Sequence, residues 1–485
     1  MKRLLYAWAG IIAFLMILVS CQTVVNQNDI NTDNNKNGVV AVVSVNDMHS
    51  AIDMMPQFAA MLDSLRGLYP DLLLFSAGDN RTGNPINDQY DPVNYPMIAL
   101  MNKVGFDLST VGNHEWDGGL EAFQKNIEDA NFPFICANVV VPDDVKLDVK
   151  PYACFNKEGM KIAVVGLVET RASGIPGAHP MHFTKVSFKK GIDVLPEYQF
   201  LRNENDILIL LSHLGYEEDL EVAERFHMFD AILGGHTHTL VEFPQKHHGV
   251  MVTQAGSSLE YATLTLFMIR HGKLVDVTSK TLNVQQFSKK DPEVLAMVET
   301  FNSDERFSAA LTNATSNFNS KEELGCMITD AIRSVSGADF AFNNTGGIRI
   351  DRLSRGPITV KDIYNIDPFN NDVVVYKMTG NQLERFIMES YKKNGRHPSY
   401  VSGMTYTVKT DEGGYPTSVD IRPDKGKFSP DATYKVAMNS FMATTVRFES
   451  IDDGESMFMT SEEMTIEYLK NKKNVSYNGV RRAFH

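Results

Sequence analysis

From Val39 onward, short apolar segments rich in β-branched residues alternate with longer amphipathic segments. The short segments are typical of buried strands, and the longer ones are typical of helices that pack on a sheet. This alternation predicts an α/β layered domain. Five of the predicted strands matter for chemistry, and they cover residues 39–45, 72–75, 107–111, 207–211 and 231–233. Residues 162–168 predict another buried strand, for which we expect no ligand-type residue directly afterwards.

Polar side chains that can bind metal ions follow each of the five strands. In open α/β sheets the carboxyl ends of the strands gather at one edge, where ligands bind, so we expect these side chains to converge. Any one of them alone would more often be a hydrogen-bonded loop residue or a helix cap, but five such ends in register favour a metal centre. The candidates are Asp47, His49, Asp79, Asn113, His114, His213, His236 and His238.

Two pairs of these candidates are two residues apart, Asp47 with His49 and His236 with His238. In extended backbone this spacing places both side chains on one face, so each pair is expected to hold one ion. Glycine directly precedes Asp79, Asn113 and His236, as expected where a tight turn leads into a crowded centre.

Composition and charge limit the classes of function. The chain has 485 residues and 43% hydrophobic content, more than one core usually absorbs, so we expect two globular domains. The formal net charge of −14 argues against binding of nucleic-acid polymers. An anionic substrate would then need a local positive centre, which bound metal could supply.

The cysteines show no metal-type spacing. Cys136 and Cys154 could form a disulfide in an exported protein, but we interpret both, together with Cys326, as buried small hydrophobic side chains.

The N-terminus is typical of an export signal. Lys2 and Arg3 precede an uncharged apolar run at residues 4–19, which is shorter than the roughly 20 residues that span a bilayer. The end of the run at residues 18–21 resembles a bacterial lipoprotein signal, which implies cleavage after residue 20, lipidation of Cys21 and anchoring to the cell envelope. An uncleaved signal anchor is the alternative. The polar residues 21–37 predict a flexible tether.

The strand-end motifs resemble those of calcineurin-like metallophosphoesterases, and residues 112–117 and 132–139 are similar to the 5'-nucleotidase branch. The resemblance covers nearly the whole chain after the tether. It implies an α/β fold, a four-layer metallophosphoesterase β-sandwich flanked by helices at residues 38–288. A linker helix region at 289–319 and an α+β C-terminal domain at 320–485 would follow.

The resemblance also implies two divalent metal ions, which could be zinc, manganese or iron. Asp47, His49, Asp79 and His238 would hold one ion. The other would be held by Asn113, His213 and His236, with Asp79 bridging the two ions.

By the same resemblance, His114 contacts the phosphate and stabilises the transition state or the leaving group. Asp117 lies within one helical turn of His114 and would orient its imidazole.

The second domain is predicted to begin near a helix that Asp291 caps and that has Pro292 at its first position. Further on, a strand leads into a glycine-rich turn at residues 344–349, which is either an anion-binding turn or a solvent-facing one on spacing alone. Resemblance to the C-terminal domain of 5'-nucleotidases implies that Asn344, Arg349 and Asn371 contact a nucleotide.

The chain departs from that family where two aromatic rings usually stack on the base. Tyr400 and Phe448 are the nearest aromatic candidates, and both are displaced from the usual motifs. Stacking contributes roughly 1 to 3 kcal/mol per base in single-strand binders, so a changed clamp would alter substrate preference.

These features predict a two-metal hydrolase of small phosphate esters, nucleoside 5'-monophosphates first, acting through a metal-bound hydroxide. Cyclic nucleotides, nucleotide sugars, sugar phosphates or a thiosulfohydrolase-type ester remain alternatives on the same scaffold. A non-catalytic metal-binding surface lipoprotein is a further alternative, although no ligand position is missing.

Overall fold

The computed structural model describes residues 37–171 and 173–485. The predicted signal sequence and the lipidation site Cys21 lie outside the described residues. Within them, none of the helices combines the length and the apolar character that crossing a membrane requires.

Two facing β-sheets form the first half of the described chain. Its strands are β1 (Gly38–Val45), β2 (Leu73–Ser76), β3 (Leu108–Thr110), β4 (Phe134–Ile135), β5 (Val139–Val140), β6 (Val149–Lys150), β7 (Tyr152–Lys157), β8 (Met160–Val168), β9 (Ser187–Phe188), β10 (Ile207–His213), β11 (Ala231–Gly234), β12 (Gln245–His247), β13 (Val250–Gln254), β14 (Tyr261–Arg270) and β15 (Lys273–Asn283). One sheet has the order β15-β14-β1-β2-β3-β4-β6, and the other has the order β12-β13-β11-β10-β8-β7. The central pairs β1–β2, β2–β3, β8–β10 and β10–β11 are parallel.

Helices cover the outer faces of both sheets. They are α1 (Met55–Arg66), α2 (Pro85–Asp88), α3 (Tyr95–Val104), α4 (Gly119–Asp129), α5 (Gly191–Val194), α6 (Phe200–Glu204), α7 (Tyr216–Arg225), α8 (Pro292–Asn302) and α9 (Glu305–Ser308). Alternate residues of β1 face different cores: Val40 and Val42 pack between the sheets, whereas Val43 and Val45 pack under the helices. This gives the predicted four-layer sandwich.

The second half is built on a five-stranded sheet with the order β20-β17-β23-β19-β24. The strands of this half are β16 (Ala310–Ala314), β17 (Phe340–Asn343), β18 (Gly356–Thr359), β19 (Asp372–Thr379), β20 (Tyr400–Ser402), β21 (Met404–Thr410), β22 (Pro416–Pro423), β23 (Thr433–Asn439), β24 (Glu455–Thr460), β25 (Asn474–Val475) and β26 (Ala483–Phe484). Its helices are α10 (Lys321–Ser336), α11 (Val360–Ile366), α12 (Gly380–Lys393), α13 (Ser440–Thr445) and α14 (Ser461–Lys470). The mixture of helices and mainly antiparallel strands is the predicted α+β architecture.

The segment that joins the halves packs on the first one. The Asp291 side chain accepts a hydrogen bond from the Val294 N–H at 2.8 Å, as predicted for a helix cap. Val294 and Val298 of α8 are buried in the same core as α1 and α3.

The predicted strands correspond to β1, β2, β3, β10 and β11, but they do not belong to one sheet. The first three lie in the seven-stranded sheet and the last two in the facing sheet. Cys136 and Cys326 are buried free thiols, so the disulfide considered between Cys136 and Cys154 is not formed.

Candidate two-metal site and substrate pocket

The loops after these five strands meet at one end of the two-sheet sandwich. Because the sheets face each other, the carboxyl ends of β1, β2 and β3 lie opposite those of β10 and β11. Each loop contributes at least one of the side chains expected to converge, and most of these side chains are buried.

One group of side chains gathers around the end of β1. His49 Nε2 lies 2.9 Å from His238 Nε2, and His238 Nε2 lies 3.4 Å from Asp47 Oδ1. These three residues offer ligand atoms within 4.8 Å of one another. The side chains of Asp79, His49 and His114 also offer ligand atoms within 4.8 Å of one another.

A second group lies beside the first. His213 Nε2 lies 3.2 Å from Asp79 Oδ2 and 3.3 Å from Asn113 Oδ1, and His236 Nδ1 lies 3.0 Å from the same amide oxygen. Asp79 shares one ligand group with His49 and another with His213, as a bridging ligand requires, and Asp47 also reaches both of these histidines.

The backbone of five of these residues is left-handed, a conformation that costs non-glycine residues about 1 to 3 kcal/mol each. The φ angles are +47° at Asp47, +46° at His49, +54° at Asp79, +79° at His236 and +55° at His238. The extended geometry expected for the two spaced pairs is therefore wrong. His236 and His238 separate into different groups because their backbone turns between them.

Buried Glu115 joins the loops that carry the second group. Its carboxylate accepts hydrogen bonds from the backbone N–H groups of Asp79 at 3.0 Å, Asn80 at 2.8 Å and Gly112 at 2.6 Å. A Cβ at Gly112 would lie 2.2 Å from Asp79 Oδ1, so this position tolerates only glycine.

Two histidines are oriented by backbone carbonyl groups behind them. His213 Nδ1 lies 2.7 Å from the Ala77 carbonyl oxygen, and His49 Nδ1 lies 3.0 Å from that of Thr82. With Nδ1–H donating to a carbonyl, Nε2 is the ring atom that faces the centre, as in metal-binding histidines.

The electrostatics of the centre keep its carboxylates ionised. Burial alone would raise the pKa of Asp79, but His213 and His114 hold it well below its usual range. Burial would likewise lower the pKa of His213, but Asp79 raises it to about 10. A buried set of carboxylate, imidazole and amide groups fits zinc, manganese or iron.

His114 and Asp117 form a hydrogen-bonded pair beside this centre. His114 Nδ1 lies 2.6 Å from Asp117 Oδ2, and the Thr82 hydroxyl donates to the same oxygen at 2.8 Å. Burial lowers the pKa of His114, but the carboxylates of Asp117 and Asp79 raise it overall. The pair is placed as the sequence predicts.

A cavity of about 410 Å³ opens onto the centre, and both halves of the chain line it. Asn113, His114 and Asp117 belong to the first wall. The predicted substrate residues Asn344, Arg349 and Asn371 lie on the second wall. Arg349 Nη2 is 3.4 Å from His49 Nε2, so the guanidinium reaches across the cavity to the metal-ligand candidates.

Comparisons with known proteins agree with this geometry. Residues 40–240 match the calcineurin-like phosphoesterase family, and residues 300–447 match the 5'-nucleotidase C-terminal domain. The first half of the chain is a calcineurin-like phosphoesterase domain, and the second half is a 5'-nucleotidase C-terminal domain.

Two relatives align over about three quarters of their own length, whereas the longer nucleotide phosphoesterase YfkN of Bacillus subtilis is covered over 35% of its length. Protein UshA of Yersinia enterocolitica is 28% identical over 435 residues, which cover 77% of this chain and 77% of that protein. A 5'-nucleotidase of Vibrio cholerae is 29% identical over 437 residues, which cover 77% of this chain and 76% of that protein. The crystal structure of a 5'-nucleotidase precursor from Thermus thermophilus shares the fold, with a TM-score of 0.79 and 22% identity over 92% of this chain and 99% of that one.

Two aromatic residues predicted for this phosphoesterase's pocket lie elsewhere. Tyr400 is 8% exposed, packs against Gly325 of α10 and lines a separate cavity. Phe448 is half-buried and packs against the core of the second half, with its ring centroid 5.0 Å from that of Tyr376 and 5.5 Å from that of Phe386. Both predictions are wrong because apolar packing holds these rings away from the cavity.

Two other rings line the cavity and were missed from the sequence. Phe441 lies at the start of α13, and the ring centroid of Phe369 is 5.9 Å from that of His114. Phe441 lies just past a strand end, but only the sheet order shows that this end is near Asn344. Phe441 follows β23, which is parallel to β17, and β17 leads into Asn344.

One carboxylate was also missed. Glu169 directly follows β8, although we expected no ligand-type residue there, and it is 5% exposed. Its carboxylate accepts a hydrogen bond from Gly177 N–H at 2.5 Å, and the Gly177 carbonyl lies 3.4 Å from Asn113 Nδ2. Glu169 therefore supports Asn113 from behind.

Proposed function

We propose that this protein hydrolyses phosphate esters of nucleotides, with nucleoside 5'-monophosphates as the first candidates, and that two divalent metal ions serve the reaction. The observation that carries the proposal is the position of Asp79. Its carboxylate lies between two ligand groups, at the floor of a cavity whose other wall presents Arg349 and Phe441.

In this proposal Asp47, His49, Asp79 and His238 hold one ion. Asp79, Asn113, His213 and His236 hold the other. Two such ions supply activation of a water molecule and neutralisation of the charge on the phosphoryl group. The short contacts within each group support this division, because each brings imidazole and carboxylate or amide atoms to one point.

His114 and Asp117 act on the phosphoryl group from the side. The Asp117 carboxylate holds a proton at His114 Nδ1 and fixes the ring. The Nε2 edge lies 4.0 Å from Asp79 Oδ2. From there it can donate a hydrogen bond to a phosphoryl oxygen or protonate the leaving oxygen.

The second wall binds the rest of the substrate. The Arg349 guanidinium can pair with phosphate oxygens, since a planar fork of donors matches them. Asn344 and Asn371 offer amide hydrogen bonds at the same wall, and Phe441 and Phe369 offer ring faces for a base. The 5'-nucleotidase named among the relatives favours a nucleotide over other phosphate esters.

The leader predicts export and attachment to the cell envelope through lipidated Cys21. An exported nucleotide hydrolase would act in nucleotide catabolism outside the cytoplasm. Mass spectrometry of the mature N-terminus tests the lipid.

A panel of substrates tests the activity. Protein loaded with manganese or zinc is incubated with nucleoside monophosphates, cyclic nucleotides, nucleotide sugars and sugar phosphates, and released phosphate is measured. We expect the highest kcat/KM with a nucleoside 5'-monophosphate. If every nucleotide stays intact while another ester is cleaved, the nucleotidase proposal is wrong. If every ester stays intact, the hydrolase proposal is wrong too.

A further inference from the structure

Two buried carboxyl groups lie behind the cavity loop that carries Phe369 and Asn371. Asp367 follows α11, Glu462 lies in the first turn of α14, and both side chains are 0% exposed. The Ser461 hydroxyl donates to Asp367 Oδ2 at 2.7 Å and lies 3.2 Å from Glu462 Oε2. The two carboxyl groups are therefore adjacent and share one neighbour.

These groups fix the loop to the start of α14. The Asn370 N–H donates to Glu462 Oε1 at 2.7 Å, and the Ser461 N–H donates to the Asn371 carbonyl oxygen at 3.0 Å. Asn370 has left-handed backbone, with φ +52°. A strained loop held by these contacts depends on them for its position, and so do the rings and amides that it carries.

Burial and hydrogen-bond donors act in opposite directions on Asp367. The side chains of Ser461 and Asn343 and the backbone N–H of Phe369 favour its ionised form, whereas burial disfavours it. Burial raises the pKa of Asp367 to about 6. Burial and the neighbouring Asp367 charge raise the pKa of Glu462 well above its usual range. Two adjacent buried carboxylates cannot both ionise without a large penalty.

The other titratable groups near the pair come from α11, α14 and α9. Tyr364 of α11 has a raised pKa because of burial and the charges of Glu462 and Glu463, and Arg306 of α9 acts on it in the opposite direction.

We propose that Asp367 and Glu462 are a proton-sharing pair of positioning residues, which hold loop 367–371 in place and thereby set the affinity for the organic part of the substrate. The pair retains one proton, held on Glu462 at neutral pH, and the Ser461 hydroxyl lies between the two carboxyl groups. Loss of that proton in alkaline solution leaves two negative charges side by side, and their repulsion displaces the loop. The kinetic consequence rests on the proposed function, whereas the stability consequence does not.

Glu462→Gln tests the pair, with Glu463→Gln in the same helical turn as the matched control. A glutamine keeps an oxygen for the Asn370 N–H and adds a donor towards Asp367, without a charge. A group with a raised folded-state pKa stabilises below its unfolded pKa, and that contribution is lost as the pH rises through its folded pKa. We therefore expect the difference in Tm, the value for Glu462→Gln minus the value for the wild type, to increase by about 2 °C or more between about pH 6 and about pH 9.

The same variants are compared in KM with the substrate that the panel selects. Between about pH 6 and about pH 9, we expect the KM of the wild type to rise about threefold more than the KM of Glu462→Gln, which corresponds to a modest change in binding free energy. The kcat of the two proteins should change with pH by the same factor. Glu463→Gln should follow the wild type. A Tm difference that is constant with pH overturns the shared proton, even if no substrate is found.

A pH-dependent Tm difference with unchanged KM overturns the positioning role alone. If Glu462→Gln does not fold, Asp367→Asn removes the charge from the other partner and is read in the same way.

Discussion

The two walls of the cavity differ in how their side chains are held. On the first wall, candidate metal ligands sit directly at the ends of buried strands, and hydrogen bonds accepted by Glu115 and by backbone carbonyl groups fix them. On the second wall, Arg349, Phe369 and Asn371 sit on loops between elements, and Phe441 lies at the start of the six-residue helix α13. On the proposed function, the first wall would carry the chemistry and the second would be the recognition surface for the organic group.

This difference predicts how substitutions should act. Changes on the first wall should abolish turnover for every ester, because all substrates share the phosphoryl group. Changes on the second wall should act through KM and should depend on the organic group. A first-wall variant that changes only KM, or a second-wall variant that abolishes turnover of every ester, would contradict this assignment of roles.

The largest effect is expected for Asp79→Asn. The amide keeps the shape of the side chain but removes the charge that both ligand groups share, and a lost metal contact is worth several kcal/mol. We expect kcat/KM to fall by about 10³-fold or more for all esters and the bound metal to fall below two ions per chain. Elemental analysis and phosphate release measure the two effects.

Asp71→Asn is the matched control for this substitution, because Asp71 is exposed and precedes β2, whereas Asp79 follows it. The control should retain wild-type activity and metal content. Full metal content and activity in Asp79→Asn would remove the bridging role.

A smaller effect on the same wall is expected for Asp117→Asn. Asp117 is the largest influence that raises the pKa of His114, so its loss lowers that pKa. A general acid or hydrogen-bond donor is typically worth about 10²- to 10⁴-fold, and we expect kcat/KM to fall by about 10²-fold. The alkaline limb of the pH profile of kcat/KM should move to lower pH, because His114 without Asp117 loses its proton at a lower pH.

Measurement of kcat/KM from about pH 5 to about pH 9 tests the shift predicted for Asp117→Asn, and Thr82→Val serves as a milder variant for comparison. That variant removes only the hydroxyl that donates to Asp117, so its loss should be about tenfold or less. An Asp117→Asn profile that is lower but unshifted would mean that Asp117 acts without setting the protonation of His114.

The sequence predicted the first wall well because strand ends are local features. A short β-branched segment followed by Asp or His identifies both the element and the side chain that leaves it, as at β1 with Asp47 and β11 with His236. The strand-end pattern alone did not predict that these strands belong to two sheets, which only the family resemblance implied. It also missed the left-handed turns that separate His236 from His238, since backbone handedness depends on tertiary contacts.

The second wall was predicted less well because its aromatic residues follow no local rule. Tyr400 and Phe448 are the aromatic residues nearest along the chain to the usual base-stacking motifs, yet packing decides which rings face the cavity. Phe441 follows a strand whose parallel neighbour leads to Asn344, a relation that only the sheet order reveals. Arg349, which a glycine-rich turn carries, was found because that turn is itself a sequence motif.

The smallest effect, and the sharpest test of the comparison, is expected for Phe441→Leu beside Phe448→Leu. Loss of a stacking ring costs about 1 to 3 kcal/mol, so KM for a nucleoside monophosphate should rise about 5- to 100-fold in Phe441→Leu. The KM for a sugar phosphate should stay within about twofold. Phe448→Leu should leave both KM values unchanged and lower the Tm, because its ring packs on Tyr376 and Phe386 in the core. The reverse pattern would return the base-stacking role to Phe448 and remove Phe441 from the recognition surface.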